Sequence, residues 1–149
     1  MLLQDVCCIG VEQESDIMSQ NHVELVQEFI HCINESDIES LLDLMTPDHV
    51  FYVEGENPTS GKAAMREAWI GYFTAFPNYK IVVDELYDQG DKIFVIGHTS
   101  GSQVPPEIEE TPSSVIWEAQ IRDGLVAAWI IYDATQENRK RFNIPSSPS

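Results

Sequence analysis

The chain has 149 residues, with 8 Lys and Arg against 25 Asp and Glu and a formal net charge of −17 at pH 7. That length suits one domain, and a chain of this size buries about 70% of its unfolded surface, enough for a core without metal or disulfide staples. The acidic balance argues against nucleic acid, where Lys and Arg must neutralise phosphates, and against docking on anionic membranes.

The start, MLLQDVCCIGVEQESD, has no basic n-region and is interrupted by Asp5, so it does not read as a secretory signal. No run approaches the ~18 apolar residues of a membrane span. Cys7, Cys8 and Cys32 make an odd count with two adjacent, which is no disulfide framework and no zinc spacing. They read as reduced thiols in a cytoplasm, with Cys32 a small core residue. Residues 1–20 lack periodicity and are expected to be a flexible leader before a domain at 21–135 and a tail at 136–149.

From there the elements follow in order. Asn21 with Glu24 resembles a capping box, and Val23, Val26, Phe29, Ile30 and Ile33 recur at helical spacing. Ser36 with Glu39 opens a second, short helix carrying Ile38, Leu41, Leu42 and Met45, which Thr46-Pro47-Asp48 ends. His49 to Glu54 reads as a strand. After a Gly/Asn/Pro loop, Ser60 caps a third helix with Met65, Trp69, Tyr72, Phe73 and Phe76 on one side and Pro77 beyond it. Four strands complete the domain: Tyr79–Tyr87, Lys92–Ser102, Ser113–Arg122 and Leu125–Asp133. Asp123-Gly124 marks the last hairpin, and QVPPEIEETP is a polar loop. The cluster Arg139-Lys140-Arg141 reads as a solvated tail. Helices first and strands last predict an α+β fold: about three N-terminal helices packed in a curved, mostly antiparallel sheet that forms a cone-shaped barrel.

This order, carried by NESDIESLLDLMTPDHVFYVEG, TSGKAAMREAWIGYFTAFPNY, YDQGDKIFVIGHTSG and WEAQIRDGLVAAWIIYD, resembles the nuclear transport factor 2-like superfamily and, within it, the SnoaL-like, polyketide cyclase-like branch. The resemblance covers about residues 21–135. It implies the fold rather than an activity, because the superfamily hosts isomerases, cyclases, epoxide hydrolases, dehydratases and non-catalytic binders. The tyrosine that ketosteroid isomerases place on the first helix matches Phe29 here. Their first-strand aspartate matches Val53, or Glu54 with a one-residue slip. The acid of the epoxide-hydrolase branch matches Ile131.

The candidates for chemistry are Asp133, His98 and Tyr52. His98 sits in IFVIGHTSG and by alternation shares a face with Phe94, Ile96 and Ser100; imidazole is a natural acid or base near neutral pH. Equally, it can be a hydrogen-bonded histidine of the outer face. Asp133 shares a face with Trp129 and Ile131, company that disfavours its charged form, or else it caps the strand end. Tyr52 and Glu54 lie together on one face, where a phenol beside a carboxylate can polarise a carbonyl oxygen. Trp129, Trp117, Trp69, Phe73 and Phe29 read as core or as the lining of an aromatic pocket for a flat, apolar ligand. Glu118 and Arg122, on the opposite face from Trp117, read as solvent or interface residues. The histidines show no metal-ligand spacing, and no phosphate loop, dinucleotide fingerprint or nucleophile elbow occurs, so neither metal nor cofactor is expected. Large apolar residues on both faces of the late strands favour a homodimer through the outer sheet face.

Three readings follow. The first is a cofactor-independent cyclase- or isomerase-type enzyme moving a proton on an apolar carbonyl compound in an enclosed pocket. The second is a non-catalytic dimeric ligand-binding module. The third is a protein-interaction domain. They are separated by whether His98 and Asp133 open into one cavity.

Overall fold

A computed structural model describes residues 10–146, with side chains from residue 21 onward. The elements are α1 (Gly10–Asn34), α2 (Ile38–Asp43), β1 (Met45–Val53), β2 (Thr59–Ser60), α3 (Lys62–Ala75), β3 (Lys80–Asp88), β4 (Lys92–Ser100), α4 (Pro106–Glu109), β5 (Val115–Arg122), β6 (Leu125–Asp133) and α5 (Gln136–Arg141). The fold is α+β. One six-stranded curved sheet runs β2-β1-β6-β5-β4-β3, and its two edges do not close on each other. β1 lies parallel to β6; every other pairing is antiparallel.

Alternation gives the sheet two apolar faces. On the inner face Ile93, Val95, Trp117, Ala119 and Trp129 bury against Val26, Phe29 and Ile33 of α1, Leu41 of α2, and Met65 of α3. On the outer face Phe94, Ile96, Ile116 and Tyr132 bury against Ile144 and Phe142 from the end of the chain. An extra residue, Asp84, bulges from β3 opposite Gly97. A Cβ at Gly97 would lie 1.9 Å from the Val82 carbonyl oxygen, so only glycine lets the bulged strand approach this closely and bend the sheet.

Helix starts differ from the sequence reading. α1 begins at Gly10, which puts Asn21 and Glu24 inside a helix instead of at its start; residues 1–9 lie outside the described residues. α2 is capped by Asp37, whose carboxylate accepts from the Ser40 backbone N–H, because Ser36 takes a left-handed conformation (φ 56°) one residue too early. α3 follows Gly61 with no side-chain cap, Ser60 being spent on β2. Pro47 does not end a helix; it sits within β1, which already runs from Met45. Among the described residues no helix is long and apolar enough to cross a membrane.

The largest correction concerns the basic cluster. Arg139 is 1% exposed, not solvated. Thr135 caps α5 by accepting from the Asn138 N–H, and the helix carries Arg139 onto the outer face. There its guanidinium donates to both carboxylate oxygens of Glu85 (3.2 and 2.7 Å) and to the Pro145 carbonyl. Glu118, expected in solvent or at an interface, is likewise buried on this face and accepts from the Tyr132 hydroxyl (2.9 Å) and the Gln120 amide.

Candidate functional site

A cavity of about 350 Å³ opens between α3 and the β1–β6 end of the inner face. Its sheet wall is a block of the parallel pair, in which Phe51 stands beside Trp129 and Val53 beside Ile131. Its helix wall is Met65, Ala68, Trp69 and Tyr72, at the i, i+3, i+4, i+7 spacing that places side chains on one helix face. Tyr79, Gln103 and Glu56 complete the lining.

The aromatic rings meet nearly at right angles. Phe51 and Trp69 have centroids 6.0 Å apart at 73°, Trp69 and Tyr72 6.3 Å at 86°, and Tyr72 and Tyr79 4.9 Å at 89°. These edge-to-face contacts hold the rings as walls.

The polar end is built around the phenols. Burial raises the Tyr79 hydroxyl well above the usual phenol range, with Tyr72 and the Glu109 carboxylate adding to the effect. Burial and Glu109 also raise Tyr72, partly offset by the Ser102 hydroxyl. Both phenols are therefore protonated donors at neutral pH. Glu109, 7% exposed, is held by the Thr99 hydroxyl (2.6 Å) and the Ser102 N–H (3.2 Å), which tie the loop bearing Gln103 to β4. Among the described residues no Lys or Arg lines the cavity, and Glu56 is the carboxylate that does.

Of the residues singled out from sequence, Trp69 and Trp129 line the cavity. Phe29, Phe73 and Trp117 lie in the surrounding core: Phe29 packs on Trp129 at 4.8 Å, Phe73 on Trp69 at 5.2 Å and Trp117 on Trp129 at 6.4 Å. Neither His98 nor Asp133 opens into this cavity. His98 shares its face with Phe94 and Ile96 as alternation requires, but that is the outer face, where its Nδ1 meets the bulged Asp84 at 2.9 Å. Asp133 ends β6 exposed, and its backbone carbonyl accepts from the Asn138 amide in the turn into α5. Tyr52 and Glu54 are together on the outer side of β1, Tyr52 paired with Ile130 and Glu54 bound to Arg141 at 3.0 Å. Val53 and Ile131 do face the cavity, so the positions matched to relatives' acids are present as apolar wall.

Sequence reasoning missed Phe51, Glu56, Tyr79, Gln103 and the Glu109 support. The loop QVPPEIEETP carried the signal: a Pro-Pro pair followed by carboxylates and set between strands can start a short turn that folds back on the strand it leaves.

The SnoaL-like domain profile matches residues 26–129, from α1 through to the cavity-lining Trp129. The chain belongs to that family. It is similar to a polyketide cyclase-like protein of Sinorhizobium meliloti, with 25% identity and a TM-score of 0.62 over 73% of this chain and 94% of that one. The epoxide hydrolase/cyclase-like enzyme SalBIII, of pyran ring formation in salinomycin, is 18% identical with a TM-score of 0.63 over 76% and 91%. An uncharacterised cystatin-fold protein of Novosphingobium aromaticivorans is 15% identical with a TM-score of 0.64 over 74% and 97%. The last two likenesses speak to the fold alone. No curated protein matches the chain.

Proposed function

We propose that this SnoaL-like protein binds a ring-sized, largely apolar small molecule in the cavity between α3 and the β1–β6 pair. The observation that carries the reading is the joint lining: perpendicular aromatic walls closing on two phenol donors in about 350 Å³, within the range of small-molecule sites. Binding without turnover is favoured because Val53 and Ile131 present no acid and neither His98 nor Asp133 lines the cavity. Trp69 and Trp129 make the test direct. A ring compound such as 1-tetralone or a naphthol is expected to change their fluorescence saturably, and Ala68→Trp, which fills the cavity from its helix wall, is expected to abolish that response with little change in melting temperature. An unchanged response in Ala68→Trp would place the binding elsewhere.

Acid–base turnover of a carbonyl compound has one specific support, Glu56, which would take a proton next to the carbonyl while Tyr72 and Tyr79 donate to the enolate oxygen. Deuterium uptake next to the carbonyl of 1-tetralone in heavy water, lost in Glu56→Gln, tests it; equal uptake in both proteins sinks it. A homodimer over the outer face would use the edge strand β3, where Val82, paired with the outer-face His98, is 39% exposed. Sedimentation of the protein with Val82→Lys beside the unaltered chain tests that contact.

A further inference from the structure

We infer that the cavity is an aromatic cage selective for a positively charged head group, a quaternary or protonated amine carried on an apolar ring. This rests on the reading of the cavity as the ligand site. Three observations support it independently.

First, the four aromatic rings Phe51, Trp69, Tyr72 and Tyr79 line the cavity and turn steeply from one to the next instead of stacking in one layer, and an aromatic lining attracts a cation through the ring quadrupole. Second, the fixed charges around it have one sign. Glu56 lines the cavity, and Glu109 is buried close enough to act on both phenols. Third, among the described residues no cation lines it, so an anionic head group would meet the phenols and the Gln103 amide beside two carboxylates. A neutral hydrocarbon would gain the apolar wall alone. A cationic one gains the wall, the ring faces and the carboxylates.

The test compares three probes of similar shape by isothermal titration at low and moderate salt: phenyltrimethylammonium, its neutral isostere tert-butylbenzene, and benzenesulfonate. The cation is expected to bind about tenfold more tightly than the neutral isostere, between the size of an exposed and that of a desolvated cation–π contact. Benzenesulfonate is expected not to bind. Glu56→Gln should lower the cation's preference several-fold and leave tert-butylbenzene unchanged, and Ala68→Trp should abolish binding of both. Equal or tighter binding of tert-butylbenzene, lost in Ala68→Trp, overturns the charge selectivity while leaving the ligand site in place. Cation binding that survives Ala68→Trp is attraction to the acidic surface and overturns the proposal. Binding of no probe overturns it, and the cavity reading falls with it only if 1-tetralone also leaves the tryptophan fluorescence unchanged.

Discussion

The two faces of the same strands are closed in different ways. The inner face of β5 and β6 presents Trp117 and Trp129 to three helices, and where α3 stands off β1 it leaves a hollow of about 350 Å³. The outer face presents Phe94, Ile96, Ile116 and Tyr132, and the end of the chain fills it with Phe142 and Ile144. The charges divide just as sharply. Glu85, Arg139, Glu118, His98 and Asp84 all form partnered contacts on the outer side, whereas the described residues of the cavity lining supply phenols, an amide and one carboxylate. Polar groups that look catalytic in one dimension are here spent on fastening a segment, and the hollow is left to aromatic surface. The difference implies that outer-face changes should alter stability without altering binding, and cavity changes the reverse.

The largest expected effect is at the Arg139–Glu85 pair. The guanidinium beside Glu85 holds its carboxyl down to about 2, helped by the Tyr87 and Ser113 hydroxyls against the cost of burial. A depressed folded value means the pair stabilises fully above the ordinary carboxyl range and is lost as pH falls from about 4.5 through 2. Glu85→Gln leaves Arg139 buried without a counter-charge, which costs about 3 kcal/mol. For a chain of this length that is a fall of roughly 10 °C in melting temperature by calorimetry. Residues after Thr135 should also become cleavable by protease. Ligand affinity in the cavity is expected to be unchanged; a large loss would show that the two faces are coupled.

How much of this was legible in the sequence depends on how local the signal is. Leu125–Asp133 reads to the residue because Asp123 and Gly124 both take positive φ (56° and 74°) in a tight turn that fixes where β6 begins. The alternation of His98 with Phe94 and Ile96 is also right. Which face that alternation denotes is not local, because Ile93 and Val95 are as apolar as Phe94 and Ile96. Only the placement of helices and tail decides it. Arg139 was misread because six residues of α5 show no periodicity of their own; the information lies in Phe142 and Ile144 matching an apolar surface far away in sequence. The cavity's polar end was missed because Tyr79 begins a strand and Glu109 sits in a loop, and neither pattern says that both approach Tyr72 of α3.

On the inner side, His49 sharpens the comparison through pH. It is fully buried beside Phe29, its Nδ1 donates to the Val126 carbonyl (2.7 Å), and its Nε2 has no partner among the described residues. Burial holds its pKa below the ordinary 6.5. The folded protein therefore keeps His49 neutral while the unfolded chain takes up the proton, so stability is full above 6.5 and erodes as pH falls below it. Between pH 7 and 5.5 the protein is therefore expected to lose stability through this residue. Chemical denaturation at the two pH values should show a slope that flattens in His49→Phe. An equal slope in both proteins would mean that His49 accepts its proton in the folded state.

The smallest expected effect is the most discriminating for function. His98 is the residue whose type most invites a catalytic role, yet on the outer face it touches Asp84, which also accepts from the Ser113 N–H at 2.8 Å. Removing the imidazole leaves Asp84 with that backbone partner, and a partly exposed pair of this kind contributes about 0.5 kcal/mol. His98→Ala should therefore melt within about 2 °C of the unaltered protein. Because no atom of His98 lines the cavity, phenyltrimethylammonium or 1-tetralone should bind it with unchanged affinity and the same tryptophan response. A tenfold loss of either affinity, with stability preserved, would move the functional centre from the hollow to the outer face and reverse the division of labour between the two sides of the sheet.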